Sequence, residues 1–192
     1  NKGWTGLINK TGVTILTPMT KAATGTAWVL NSGALNATAA EIATDMMNLI
    51  LGPVTATNSV RPIIADTVAV PSLAYRALAG TFTDALNGGI SYLEWVRRQV
   101  SGAVPGANFQ IVEIPELASA ATTVISGGGR AIAYRRSPDI LEMPVSFAFR
   151  FLNDYRDAPL GYMVPGWARF GAVTIWETRG FRYMDGIQVV PA

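Results

Sequence analysis

The chain has 192 residues, 49% hydrophobic and 15% charged, enough for one domain at roughly 150 residues per domain and well below the usual charged share of about 25%. Fifteen basic and 13 acidic residues give a net charge of +2 without a long run of like charges, so the electrostatic footprint of a sequence-specific nucleic-acid binder is missing. Cys and His are both absent, which excludes disulfide frameworks, Cys- or His-based zinc sites, a Cys nucleophile and the commonest general base.

The first stretch, Asn1 to Gly33, mixes Gly, Thr and Asn with short apolar runs such as Val13-Thr14-Ile15-Leu16. It predicts loops and short strands, in the manner of an extended arm. The first helix starts near Thr38. Thr38 and Glu41 have capping-box spacing, and Ile42, Met46, Leu49 and Ile50 then form one apolar stripe. Gly52-Pro53 is expected to end the helix. Arg61 to Val70 reads as a strand, and Ser72 as the cap of a short helix through Ala79.

A second capping box, Ser91 to Glu94, opens a helix running to Val100, with Leu93, Val96 and Val100 on one face. From Asn108 the pattern becomes mostly strand. Phe109 to Ile114, Arg130 to Arg135 and Val145 to Phe151 are predicted, followed by Trp167 to Glu177 and Ile187 to Val190. The third is the cleanest, with Val145, Phe147, Phe149 and Phe151 alternating against Ser146, Ala148 and Arg150. Helices early and strands late predict an α+β fold. The helices from Thr38 and Ser91 are expected to pack on a sheet that contains Val145 to Phe151.

Candidate chemistry is sparse. Gly127-Gly128-Gly129 is followed by a strand-like segment, whereas a phosphate loop needs a helix there and a Lys with Ser or Thr, so a flexible turn is expected. Glu113 and Glu116 flank Pro115 and read as a solvated strand end, not a catalytic pair. Asp139, Asp154 and Asp157 lie near Arg135, Arg136 and Arg156 without calcium-loop spacing, which points to ion pairs. Lys2, Lys10 and Lys21 are the only lysines and are expected at the surface or at partner contacts. Arg97-Arg98 and Arg135-Arg136 are expected in ion pairs before phosphate contacts. The Trp and Phe residues are expected mostly in the core, with a few as interface anchors. No metal or organic cofactor is expected. No stretch approaches 18 apolar residues, so no membrane helix is predicted. The start, Asn1-Lys2-Gly3-Trp4, has neither an apolar leader nor an initiator Met and is expected to be a processed end or the edge of a fragment.

The order of several segments carries a family resemblance. Gly3-Trp4-Thr5-Gly6-Leu7-Ile8-Asn9 is similar to the G-x-x-G-L-x-N segment that follows the long spine helix of phage and prophage major capsid proteins with the Hong Kong 97-type fold. The capped helix from Thr38, the strand closing on Val70-Pro71, and the short helix around Tyr75 and Leu78 follow in the family's order. Ala133-Tyr134-Arg135-Arg136-Ser137-Pro138-Asp139-Ile140-Leu141 resembles a strand and turn of a less characterised prophage subgroup. Gly171-Ala172-Val173, Glu177-Thr178-Arg179 and Tyr183-Met184-Asp185-Gly186-Ile187 resemble its closing strands.

The resemblance implies a single capsid-type unit over residues 1–192. Residues 40–160 would be axial-domain-like, and 1–35 with 165–192 peripheral-domain-like, with the arm, extended loop and spine helix lying outside the sequence. It implies a non-enzymatic homo-oligomer whose pentamers and hexamers tile a virion shell assembled in the host cytoplasm. DNA would be met non-specifically at most, and membrane not at all. Contacts between subunits are expected at two loops, through Gly127, Gly128, Gly129 and Arg130 and through Asp154, Arg156 and Asp157. Two alternatives remain at this level: another assembly protein, such as a tail or connector part or a bacterial shell compartment, and a hydrolase working without His or Cys.

Overall fold

The computed structural model of the chain describes residues 6–23, 25–30, 32–56, 63–81, 89–103, 109–121, 128–158 and 161–189. In chain order the elements begin with β1 (Thr14–Leu16), α1 (Ala39–Ala56), β2 (Thr67–Val70), α2 (Ser72–Gly80), α3 (Tyr92–Ala103) and β3 (Gln110–Glu113). After a 3-10 turn over Pro115–Ser119 come β4 (Gly129–Tyr134), β5 (Leu141–Glu142), β6 (Val145–Phe151), β7 (Tyr155–Ala158) and β8 (Gly161–Met163). The last are β9 (Gly166–Phe170), β10 (Thr174–Ile175) and β11 (Phe181–Gln188).

α1 forms where its sequence signals it. Thr38 Oγ1 accepts the Glu41 N–H at 3.3 Å, and the Glu41 carboxylate accepts the Thr38 N–H at 2.8 Å, closing the reciprocal box. The same carboxylate accepts the Ala22 N–H at 2.7 Å, so the cap also ties down the preceding loop. These backbone donors, Thr38 first and Ala22 second, hold the Glu41 carboxyl below its ordinary range. Ile42, Met46, Leu49 and Ile50 are fully buried. The expected stop at Gly52-Pro53 does not occur. Proline forfeits one backbone donor, and the helix carries on for one further turn to Ala56.

Two other caps differ from the expectation. Ser72 is already inside α2, and the cap position belongs to Pro71, without a side-chain bond. Pro71 has φ −66°, so the ring presets the entry angle from β2 that a capping serine would otherwise secure. At α3, Ser91 Oγ accepts the Glu94 N–H at 3.3 Å, but the Glu94 carboxylate accepts from Arg98 Nε at 2.9 Å one turn on, so half of the box forms among the described residues. α3 continues past Val100 to Ala103.

Five strands make one sheet in the order β1-β11-β4-β2-β3. The two outer pairs are parallel and the two inner pairs antiparallel. Period-two alternation sorts its side chains onto two cores. Val68, Val70, Ala131, Ala133 and Met184 join the three helices on one face. Ala69, Ile132, Phe181 and Tyr183 meet Leu117, Ile140 and Ile175 on the other. In β11 the alternation is reset at Gly186, whose φ of +87° only glycine adopts cheaply, and the register with β4 shifts between Asp185 and Gln188. Ile187 therefore shares the helix face with Met184.

The fold is mixed α+β, but the helices do not pack on a sheet containing Val145 to Phe151. That segment is β6, every residue of which is exposed, and it pairs with β9 in a separate two-stranded sheet. Its regular alternation marks a strand correctly; it does not say which surface the apolar side chains meet.

Gly129 occupies a close backbone approach. A Cβ there would lie 2.6 Å from Gln188 Cβ, so a Gly129→Ala variant is expected to lose about 1–3 kcal/mol, measured by urea denaturation. A loss within about 0.5 kcal/mol would mean that the β4–β11 spacing yields freely.

Candidate functional site

The separate strands form one continuous hairpin. β5 pairs with β10 at its base, β6 with β9 along its middle, and β7 with β8 at its tip. The base is rooted by Ile140 and Ile175, both buried in the second core. The Gly171 N–H donates to Pro144 O and the Leu152 N–H to Pro165 O, each at 2.8 Å, linking the three pairs. At about 3.3 Å per residue, the rising strand from Leu141 to Ala158 spans at most about 55 Å. This ribbon is where the exposed apolar side chains concentrate. Phe149 is 59% exposed, Phe151 68%, Phe170 54% and Trp167 46%.

The ribbon has two chemically different faces, and a bulge sorts them. Directly paired residues in an antiparallel ladder share a face. Phe147 pairs with Arg169 and Arg150 with Trp167, with a register shift between these pairs. That shift places Phe147, Arg150, Trp167 and Arg169 together. The Phe147 and Trp167 rings stack with centroids 4.9 Å apart, and the Arg150 guanidinium lies 5.7 Å over the Phe147 ring. The other face holds Val145, Phe149, Phe151 and Phe170. Phe149 and Phe151 meet edge to face at 5.0 Å, and a Cβ on Gly166 would touch the Phe149 ring at 2.7 Å. One face is thus aromatic and cationic, the other purely apolar. The four-residue apolar row expected from Val145 to Phe151 is broken, because register shifts on both sides of Phe147, one after Val145 and one before Arg150, turn it to the opposite side.

The loops expected to meet other subunits divide in the same way. Gly128, Gly129 and Arg130 are buried, and Gly127 lies outside the described residues. Gly128 O accepts the Ala121 N–H and Gly129 opens β4, so this part of the glycine run is ordered strand entry and not a flexible turn. Arg130 is 2% exposed. Its Nε and Nη2 donate to the Asp185 carboxylate at 2.5 and 2.8 Å, its Nη1 donates to Ile8 O at 2.7 Å, and its guanidinium lies 4.4 Å over the Tyr183 ring. Tyr183 in turn donates to Leu7 O at 2.7 Å. Burial raises the Tyr183 hydroxyl above its ordinary pKa. This network ties residues 6–10 onto the sheet and engages Arg130 inside the chain. Asp154 is exposed at the ribbon tip, and Arg156 and Asp157 lie on β7 beside it.

Three further expectations are corrected. Lys21 is not at the surface: it is buried in an ion pair with Asp45, whose carboxylate also accepts from Trp28 Nε1 at 2.7 Å and the Met19 N–H at 3.0 Å. The partner sits on α1, 24 residues away, beyond the reach of local pattern. Arg136 pairs with Asp66 at 3.6 Å, not with Asp139. The aromatics do not lie mostly in the core: Trp28, Phe109 and Phe181 do, whereas Phe147, Phe149, Phe151, Phe170, Trp167 and Trp176 are exposed. Glu113 and Glu116 are exposed, on either side of an exposed Pro115. Among the described residues, no three Asp, Glu, His or Cys side chains gather to hold a metal, and no helix is long and apolar enough to cross a membrane.

A family model described as major capsid protein matches residues 1–187. The fold is similar to the capsid of the Myoviridae phage XM1, with a TM-score of 0.64 and 17% identity over 95% of this chain and 54% of that one. It is also similar to a virus-like particle from Pyrococcus furiosus, with a TM-score of 0.53 and 12% identity over 93% of this chain and 58% of that one. The chain therefore spans between half and three fifths of the length of these two structures. No curated protein matches the sequence.

Proposed function

We propose, from the premise that this chain belongs to the major capsid protein family, that it is the part of a phage or prophage shell subunit that carries intersubunit contacts along its ribbon. Many copies pack into pentamers and hexamers, and these close into a shell around DNA within the virion, after assembly in the host cytoplasm. The domain plan is Hong Kong 97-type, with an axial domain and part of a peripheral domain. The protein acts by packing, without catalysis. The observation that carries this reading is the two-faced ribbon. An isolated two-stranded hairpin is marginal in water, and a row of exposed Phe, Tyr and Trp is the composition of an interface centre. A shell subunit needs several distinct, heterologous contact surfaces, and a ribbon with unlike faces supplies two. The tip, with Asp154, Arg156 and Asp157, is a further candidate contact from the sequence, and so is the glycine run at Gly127. The likeness to a virus-like particle keeps a bacterial shell compartment as the second reading.

Expression of the full-length protein followed by electron microscopy tests this. Closed particles of uniform diameter are expected. A strictly monomeric full-length protein at high concentration contradicts it. Particles packed with cargo protein in place of DNA favour the compartment.

A further inference from the structure

We infer that the aromatic, cationic face of the ribbon, formed by Phe147, Arg150, Trp167 and Arg169, receives the Glu113–Glu116 corner of a second copy of this chain. The inference rests on the shell reading above and names one of its contacts. The two surfaces complement each other in charge, spacing and shape.

Charge comes first. Among the described residues, Glu41, Asp45, Asp66, Glu94, Glu142, Glu177 and Asp185 all bond within the chain. The Glu113 and Glu116 carboxylates form no hydrogen bond or ion pair among those residues, and the one other acidic pair at the same spacing outside that set, Asp154 and Asp157, belongs to the ribbon. Asp154 lies on the ribbon itself and Asp139 stands alone at a turn. On the receiving side, Arg150 and Arg169 have no carboxylate partner among the described residues; Arg150 has only the Phe147 ring beneath it.

Spacing agrees. Arg150 pairs across the ladder with Trp167, and Arg169 stands two residues further along the same strand. Two strand residues of rise and one interstrand gap put the two Cα atoms about 8 Å apart. Glu113 and Glu116 are three residues apart, so their Cα atoms are separated by at most about 11 Å. Between the two arginines lies the Phe147–Trp167 stack; between the two glutamates lies exposed Pro115. Proline rings dock against aromatic grooves, where their fixed backbone brings little ordering cost. Two salt bridges thus flank a proline-on-aromatic contact.

The composition of the receiving surface selects protein over nucleic acid. From Leu141 to Ile175 the chain carries three arginines against three acids (Arg150, Arg156 and Arg169; Glu142, Asp154 and Asp157) and no lysine. Neutral, rich in Arg, Met and aromatics and poor in Lys, it matches a protein interface and not a phosphate-binding surface. The contact is head-to-tail, because ribbon and corner are different surfaces of one chain. Repeated, it makes a ring if the rotation closes.

The test uses the full-length protein with two paired reversals. Arg150→Glu with Arg169→Glu reverses the ribbon, and Glu113→Arg with Glu116→Arg reverses the corner. All four side chains are exposed, so circular dichroism is expected to match the parent. Each pair alone is expected to weaken association about a hundredfold, as like charges are brought together. Mixing the two variants restores complementary charges wherever they alternate, which a dimer joint or a six-membered ring allows at every contact and a five-membered ring does not. Sedimentation velocity should show association return to near the parent level for the even-numbered species. Parental assembly by either variant alone overturns the contact while leaving the shell reading intact. Loss in both without rescue on mixing also overturns it. Reduced nucleic-acid binding by the ribbon variant with assembly unchanged reassigns the face to nucleic acid. A parent that forms no particle and no oligomer removes the shell reading and the contact together.

Discussion

Asp185→Ala is expected to destabilise the folded chain by about 3–5 kcal/mol, the cost of leaving a buried charge without its partner. The charge is the guanidinium of Arg130, which faces Asp185 across β4 and β11 and donates to it twice. Arg130 cannot swing to water from a position 2% exposed. The loss should appear as a lower urea midpoint with the slope unchanged. An apolar pair offers a control: Arg130→Met with Asp185→Leu removes both charges, and such replacements are often neutral or stabilising. Here only partial recovery is expected, because Arg130 also holds Ile8 O and covers the Tyr183 ring. A single variant that loses under about 1 kcal/mol would show that water reaches the site and solvates the orphaned cation.

The second large effect is on assembly. Removing residues 145–170 and joining Pro144 to Gly171 through an Asn-Gly turn should abolish particles of the full-length protein. The cut is conservative for the body. Pro144 O already accepts the Gly171 N–H at 2.8 Å, so the two ends are hydrogen-bonded neighbours, and Asn-Gly is the preferred two-residue hairpin turn. Because β6 is exposed throughout, the body's stability is expected to stay within about 1 kcal/mol of the parent, the usual range for surface change. Electron microscopy and a urea titration on one preparation decide between outcomes. Particles that still form would remove the ribbon from the contact set. A body that unfolds would make the ribbon part of the fold.

How far the sequence reached depends on whether each signal was local. α1 was legible because its cap and its apolar stripe lie within a few residues of each other. β3, β4 and β6 were legible as strands for the same reason. By local pattern β11 was legible only in its last residues, because Arg182, Asp185 and Gln188 interrupt its apolar run and the Arg130 that pairs with Asp185 stands 55 residues upstream. The family resemblance alone marked Tyr183 to Ile187 as part of a closing strand. Lys21 was placed at the surface because its acceptor Asp45 lies on a helix that the local pattern cannot connect to it. In the ribbon, Phe147 was grouped with Phe149, and the bulge that separates them leaves no mark in a period of two. Arg150, Trp167 and Arg169 were missed as a set, although a segment rich in Arg and aromatics and free of Lys was visible all along.

The pairing of β1 with β11 also bears on how the chain is made. Thr14 faces Arg182, a separation of 182 − 14 = 168 residues. β11 lies second in the sheet and fills the gap between β1 and β4. During synthesis it is made after the ribbon, so the aromatic row from Phe147 to Phe170 is complete while β1 and the facing edge of β4 still lack their shared neighbour. Long-range pairing of this kind slows folding, and at about 5–20 residues per second the interval is long enough for sticky intermediates to meet. Chains whose ribbon is complete therefore carry its exposed aromatic row before their body is closed, which, on the contact role proposed for the ribbon, favours early encounter between copies and, without a chaperone, early aggregation.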